Sequence, residues 1–193
     1  MSYFKHPTAI VESDAIGADT KIWHFVHVRK GATIGKRCVL GKSTYVDTGV
    51  TIGDDVKIQN FASIYRGVTI EDSVFVGPGV VFTNDKRPRA SLWDDDRLMR
   101  TTVKKGASIG ANATIICGVV ISEYAMIGVG SVVTREVPAF SLVYGNPARW
   151  HGYVCYCGET LGAPFAENYE EATYACRCGE KIAVRKADRQ GAL

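Results

Sequence analysis

The chain has 193 residues, enough for one domain and an appendage, with 46% apolar and 22% charged residues; this globular balance excludes a disordered or collagen-like chain. A formal charge of +3 without a clustered basic stripe argues against nucleic acid as a partner, and no apolar run reaches the length of a membrane span. The start, MSYFKHPTAI, lacks the apolar region of a leader. A cytoplasmic location is therefore expected, with the six cysteines acting as thiols or metal ligands and not as disulfides.

A large apolar residue recurs every six positions at Ile10, Ile16, Ile22, Val28, Ile34, Leu40, Val46, Ile52, Ile58, Ile64, Ile70, Val76 and Phe82. A small or β-branched residue stands four places after most of these anchors, as at Thr20, Val26, Ala32, Cys38, Thr44, Val50 and Val56. Glycine often follows the anchor directly, as at Gly17, Gly35, Gly53, Gly77 and Gly110. The three- and four-residue spacing of a helix is absent. Short strands separated by sharp corners fit the pattern, with anchor and small residue inward and glycine or a polar residue at the bend. One such unit cannot bury its own face, so the units must stack into an all-β solenoid with a continuous core.

After Phe82 the repeat stops. Residues 85–102, DKRPRASLWDDDRLMRTT, hold no anchor, and a long loop in a compact repeat is either functional or disordered. Its basic cluster, Lys86, Arg87 and Arg89, suits a diphosphate or a sugar carboxylate; the alternative is a charge-balanced exposed loop, with Asp94, Asp95 and Asp96 opposing. The series resumes at Val103, Ile109, Ile115, Ile121, Ile127 and Val133. Beyond Trp150 two C-x-C-G knuckles present Cys155, Cys157, Cys176 and Cys178. Four thiolates suit a tetrahedral structural zinc with no open position, although the usual knuckle spacing is two residues and not one; the alternative is four reduced cysteines in a mobile tail. Cys38, at a small inward position, and Cys117 read as structural.

The repeat [Ile/Leu/Val]-Gly-x-x-small-x over residues ~9–152 resembles that of the hexapeptide-repeat acyltransferases, which are left-handed parallel β-helices. The resemblance implies three hexapeptides per triangular coil, a homotrimer, and acetyl-CoA in the cleft between neighbouring prisms. It divides the chain into a β-helix acyltransferase domain, 1–152, with its loop at 85–102, and a C-terminal tail or zinc ribbon, 153–193. GSVVTREVPAFSLVYGNPARW, residues 130–150, is similar to the coil end of CoA-dependent members. By that likeness Ala111, Val129, Thr134, Arg135 and Arg149 lie at the CoA contacts, where arginines pair with phosphates.

Many members carry a histidine near the loop as general base, where this chain has Asn84. An amide cannot take a proton at neutral pH, but it can orient an amine or donate to an oxyanion. An uncharged amine attacks a thioester unaided, whereas a hydroxyl normally needs a base, so Asn84 points to N-acetylation. The stretches IWHFVHVRKGATIG, VKIQNFASIY, VFVGPGVVFTNDKRPRA and GASIGANATIICG resemble the subgroup that acetylates nucleotide-linked 3-amino sugars for surface polysaccharide such as O-antigen. Its branches take dTDP-linked sugars or a UDP-linked 2-acetamido-3-amino-2,3-dideoxyglucuronate, and the NDKRPRA stretch is common to several of them. The likeness puts Asn84 beside the sugar amine, with the departing CoA sulfur taking the proton.

One coil of eighteen residues on from His24 lies Lys42, and another coil on lies Asn60. This polar column is either a solvated edge or a substrate edge facing the neighbour's loop, with His24 as ligand or competing base. Trp23, His27, Asn60, Asp85 and Arg89 complete the expected substrate set, Trp23 stacking on a base or packing between subunits. His6 and His151 read as surface residues. The rival functions are O-acetylation of a sugar or serine hydroxyl, and a scaffold without catalysis. The zinc carbonic anhydrases of this fold need three histidine ligands, a set that His24 and His27 do not supply.

Overall fold

The computed structural model describes residues 2–92, 94–168 and 170–185. The anchors form two-residue strands such as Thr51–Ile52 and Lys57–Ile58, whose first residue faces out and whose anchor faces in, the alternation of any strand. These stack into three parallel sheets. The first runs from Phe4–Lys5 through Lys21–Ile22 and Val39–Leu40 to Met126–Ile127 and Ser141–Gly145; the second from Ile10–Val11 and His27–Val28 through Val81–Phe82 to Val132–Val133; the third from Thr33–Ile34 through Val68–Ile70 and Thr101–Val103 to Val120–Ile121. Ile22 pairs with Leu40 and Leu40 with Ile58, so one left-handed triangular coil takes eighteen residues. Inside, the anchors meet the small residues Val26, Ala32, Cys38, Val50 and Val56, all buried. Each fully buried anchor contributes about 2 kcal/mol of gross transfer energy, largely offset by the ordering of its chain.

The first rung departs from the six-residue series. Ile10 is 59% exposed. Ile10 pairs with His27 and Val11 with Val28, so Val11 takes the inward place. The first coil is one residue short, and a slip of one turns the other side chain inward. Ser13 fills the gap: its Oγ donates to the Ala32 carbonyl at 2.6 Å and accepts from the Ala15 N–H at 3.0 Å.

The bends also lie elsewhere than expected. Left-handed backbone falls three residues after the anchors, at Asp19, Phe25, Gly31, Arg37, Ser43 and Gly49. The glycines directly after the anchors sit where coils touch. A Cβ on Gly35 would lie 2.5 Å from the carbonyl carbon of Gly53, and one on Gly77 would lie 2.7 Å from the Ala111 nitrogen. The next coil, and not the bend, excludes a side chain there. Carboxylate and amide oxygens close the ladder, Asp54 Oδ1 accepting from the Lys36 N–H and Asp72 Oδ1 from the Asp54 N–H.

The coil leaves its register after Val81–Phe82 and regains it at Thr101–Val103, so the strand opens inside the expected loop. At the far end Ser141–Gly145 turns through a cis Asn146–Pro147 bond and pairs antiparallel with Ala148–Tyr153. The chain then builds a second unit. Ala166–Glu167, Glu171–Ala175 and Lys181–Arg185 form an antiparallel sheet over Tyr153, Cys155, Leu161, Ala172, Tyr174, Ile182 and Val184. The C-terminal segment is therefore folded as far as Arg185, while 186–193 of the expected tail lie outside the described residues. Among the described residues no helix is long and apolar enough to cross a membrane.

Candidate active site

The second sheet is flanked by two edges. Along the preceding edge His24, Lys42, Asn60, Pro78 and Ala111 form one column, because their carbonyls accept in turn from the N–H groups of Ser43, Phe61, Gly79, Asn112 and Gly130. Val129, just before Gly130, is the next member, 75% exposed. The polar column of the N-terminal coils thus runs straight into two of the expected CoA contacts. Along the following edge, Thr83 donates its N–H to Ile115 and Ile116 donates to Val133. This register aligns Asn84 with Cys117 and Arg135, and Thr83 with Thr134. Asn84 and His24 therefore stand on opposite edges and three coils apart, about 14 Å along the axis at ~4.8 Å per rung. One protomer does not bring them together.

At the N-terminal end Trp23, His24, Gly41, Lys42, Gln59 and Asn60 line a shallow groove of about 290 Å³. His6, expected to be a plain surface residue, stacks on His24 with ring centres 3.5 Å apart. Loss of water around the imidazole, and then the charge of His24, push the His6 pKa below its ordinary value. Trp23 lies parallel to His24 at 6.3 Å. Lys42 Nζ stands 5.9 Å from the ring centre of Phe25 and 5.8 Å from that of Phe61, within cation–π range. The Asn60 side-chain Oδ1 accepts from the Lys42 N–H at 2.8 Å, which leaves its Nδ2 to meet a ligand. His27 lies outside the groove, its Nε2 2.7 Å from Glu12 Oε1. That bond and the Lys30 N–H hold Glu12 below the usual carboxylate range.

On the loop edge Asn84 is half-buried, and its carbonyl accepts from the Met99 N–H at 3.1 Å. Its neighbour Asp85 turns inward to the loop. The carboxylate accepts from Arg97 Nε at 2.9 Å and from the Arg87 N–H at 2.6 Å, and its side chain is 8% exposed. The Arg97 guanidinium, and then the Arg87 N–H, hold its pKa below the ordinary 3.8. Arg97 also donates to the Arg87 carbonyl. Asp85 thus braces the loop that presents Asn84, and its oxygens are engaged within the chain. Arg66 ties the loop to the coil through Asp95 at 2.9 Å. Arg89 is exposed, its Nη1 3.2 Å from the Pro88 carbonyl.

At the C-terminal end Thr134, Arg135, Val143 and Ala148 line one narrow crevice of about 10 Å³ between the last coil and the hairpin. Arg149 follows Ala148 and pairs across the hairpin with Tyr144, whose ring stacks on His151 at 3.4 Å. Two of the expected CoA residues, Thr134 and Arg135, meet there, while Arg149 is exposed on the hairpin with its Nη1 3.1 Å from the Ala148 carbonyl. Ala111 and Val129 lie on the other edge of the same face.

In the second unit the four cysteine sulfurs lie within 4.8 Å of one another. Cys155 and Cys178 are 3.5 Å apart, Cys157 and Cys176 3.7 Å. Zinc–sulfur bonds of ~2.3 Å in a tetrahedron space the sulfurs by about 3.8 Å. The two knuckles are alike: the Gly158 N–H donates to the Cys155 carbonyl and the Gly179 N–H to that of Cys176, with φ of 90° and 98° at the two glycines. A side chain is disfavoured at such angles, so the glycine allows both thiols of a one-residue knuckle to face the same point. The donor set and its spacing fit a thiophilic metal ion.

Residues 49–84 match the family described as bacterial transferase hexapeptide (six repeats), and residues 31–66 and 101–135 match the hexapeptide repeat of succinyl-transferase. The chain is 48% identical over 178 residues to the dTDP-3-amino-3,6-dideoxy-α-D-galactopyranose 3-N-acetyltransferase of Aneurinibacillus thermoaerophilus, covering 92% of this chain and 89% of that one. It is 31% identical over 134 residues to the bifunctional protein GlmU of Acetivibrio thermocellus, covering 69% of this chain but 27% of that protein. Among solved structures, a hexapeptide transferase family protein from Anaplasma phagocytophilum shares the fold with a TM-score of 0.55 at 18% identity, over 79% of this chain and 80% of that one.

Proposed function

The chain belongs to the hexapeptide-repeat acyltransferases, among the relatives of the nucleotide-linked amino-sugar N-acetyltransferases, and we propose that it acetylates the 3-amino group of a dTDP- or UDP-linked sugar used in surface polysaccharide. The observation that carries this reading is Asn84. It stands where the coil gives out into the loop, and the four histidines lie elsewhere: His6 and His24 in the groove, His27 on the face, His151 in the hairpin. An edge without a base suits an amine acceptor.

In this reaction the amine enters uncharged and Asn84 orients it for in-line attack on the thioester. The new N–C bond forms and the C–S bond breaks. A backbone N–H supports the oxyanion, and the amine proton leaves with the CoA sulfur. Arg135 and Arg149 pair with the CoA phosphates, Thr134, Ala111 and Val129 line the pantetheine, and Trp23, His24, Asn60 and Arg89 bind the nucleotide sugar. His27, held by Glu12 on the face outside the groove, has no part in this reading, and Asp85 acts through the loop. The placement of Arg135 and Val129 on opposite edges of one coil level supports a homotrimer in which one protomer's loop edge faces the next protomer's column. The reading takes 1–152 as the catalytic domain and 153–193 as a second domain with structural zinc on its four cysteines, in a cytoplasmic enzyme.

The test is acetyl-CoA turnover followed by mass spectrometry against a panel of dTDP- and UDP-linked 3-amino sugars. Turnover of a dTDP member is expected, given the 48% identical relative. Acetyl-CoA bound without turnover of any amine would overturn the reading in favour of a hydroxyl acceptor with His24 as base. Absence of acetyl-CoA binding in calorimetry would leave only a scaffold.

A further inference from the structure

We infer that the four-cysteine unit is a metal-dependent cap on the open end of the coil, and that metal binding fixes the acetyl-CoA end of the site. The inference rests on the zinc reading of Cys155, Cys157, Cys176 and Cys178. A solenoid ends on a coil whose core has no successor, and terminal repeats need a cover. Here the cover is the hairpin Ser141–Gly145 and Ala148–Tyr153 with the unit beyond it. Trp150 packs against both cores, and Phe140 packs against the second. The Val154 N–H donates to the Phe140 carbonyl at 2.8 Å.

The link to the metal runs through Tyr156. It is the single residue between the ligands Cys155 and Cys157. Its ring meets Tyr124 edge-on at 4.5 Å and Phe140 edge-on at 5.0 Å, and those two stack on each other at 5.3 Å. Tyr124 and Phe140 stand at successive corners with φ of 55° and 59°. Bulky residues rarely adopt such angles, and strained positions persist only where the surroundings hold them. The coil holds such corners elsewhere too, at Phe25, Arg37 and Phe61; here the ring of Tyr156 packs as a wedge on two of them. A metal bonded to both neighbours of Tyr156 fixes the wedge from either side, which gives the one-residue spacing a use. Among the described residues the unit's own core is seven buried side chains, a size at which a metal supplies much of the folding energy. The hairpin that carries Arg149 enters Cys155 directly, and its Ala148 lines the cleft of Thr134 and Arg135. Metal loss releases the wedge, and the hairpin then no longer holds Ala148 against the cleft of Thr134 and Arg135.

The experiment strips the full-length protein with a chelator under reducing conditions, then restores zinc. Elemental analysis and titration with cobalt(II) report the site, and steady-state kinetics report the cap. One zinc per chain is expected, with thiolate-to-cobalt charge-transfer bands on titration. Removal is expected to raise the KM for acetyl-CoA about ten-fold, the scale of one charge-assisted hydrogen bond. The KM for the sugar and kcat should stay nearly constant, and zinc should reverse the change. Tyr156→Ala should keep its zinc and show the same rise. Zinc bound with KM unmoved by stripping and by Tyr156→Ala overturns the cap and leaves the metal site standing. Four free thiols that take up neither zinc nor cobalt, or two cross-knuckle disulfides in the isolated protein, overturn the metal reading and the cap with it. If the stripped chain aggregates, the zinc-loaded Tyr156→Ala protein decides: an unchanged KM overturns the cap.

Discussion

In the coil, Ile64 is fully buried between the rungs of Val46 and Phe82. In the C-terminal unit, Ile182 lies among seven buried residues beneath three antiparallel strands. The first site repeats up and down the prism, so each anchor is held by copies of itself. The second has no repeat to lean on and gathers four thiols instead. The contrast shows two routes to a fold: many equivalent apolar contacts, or a few contacts organised around one polar centre.

The largest expected effect tests that contrast. Ile64→Ala should destabilise the coil by about 2–5 kcal/mol, because the rigid neighbours cannot collapse into the cavity. Ile182→Ala should leave the coil's melting transition in place and release zinc. The two variants are to be compared by calorimetry with zinc measured alongside. A common shift of one transition would mean that coil and unit melt together, and would make the cap an integral last coil.

A similar division separates the coil from its loop. Asn84→Ala should lower kcat about a hundred-fold, the scale of a misplaced reacting group, without moving the melting temperature or the oligomeric state. Unchanged turnover removes Asn84 from the reaction. His24→Asn belongs beside it: loss of the acidic limb of the pH–rate profile, where protonation silences a general base, would return the proton to histidine.

The coil was legible in the sequence because a fully buried position recurs every six residues and admits few residue types. The slip at its start was not. Ile10 and Val11 are both apolar, and only pairing with Val28 shows which one turns inward. The bends were hidden for another reason. Phe25, Arg37 and Asp55 carry no chemical mark of left-handed backbone, while the conspicuous glycines answer to the neighbouring coil. His6 was missed because its coil lacks a clear anchor and is one residue short, which sets His6 level with Trp23 and lets its ring stack on His24. In the loop, opposite charges read as balance, but Asp85 and Arg97 form a specific brace. The knuckles were legible as a pair, whereas the wedge of Tyr156 depends on corners distant in sequence.

The brace gives a smaller effect, read by pH. Arg97 and the Arg87 N–H hold the Asp85 pKa below 3.8. A carboxylate depressed in the folded state stabilises above its unfolded pKa, and loses that contribution as pH falls through the folded value. Loop order should therefore persist down to pH ~4 and fade below it, while the coil stays folded. Hydrogen exchange across residues 84–99, read between pH 6 and 3, checks this against Asp85→Asn. A variant whose loop exchange matches the wild type at pH 6 would show that the brace does not hold the loop.

The smallest effect compares the two knuckles with each other. Arg177 holds in the second knuckle the place that Tyr156 holds in the first, between two cysteines. Its Nη2 lies 2.9 Å from Glu159 Oε2, with side chains 89% and 54% exposed. An ion pair this open to water is worth at most roughly 0.5 kcal/mol, and salt weakens it further. Arg177→Ala should therefore keep its zinc, its acetyl-CoA KM and its melting profile, in contrast to Tyr156→Ala. A larger loss that disappears in high salt would point to a second partner. Four thiolates around a divalent cation leave a net negative charge, and the metal centre's own charge belongs in any count of the field. The guanidinium between Cys176 and Cys178 would then be balancing that charge, and the two equivalent positions would divide the work: Tyr156 fastening the metal unit to the coil, Arg177 neutralising the metal from the solvent side.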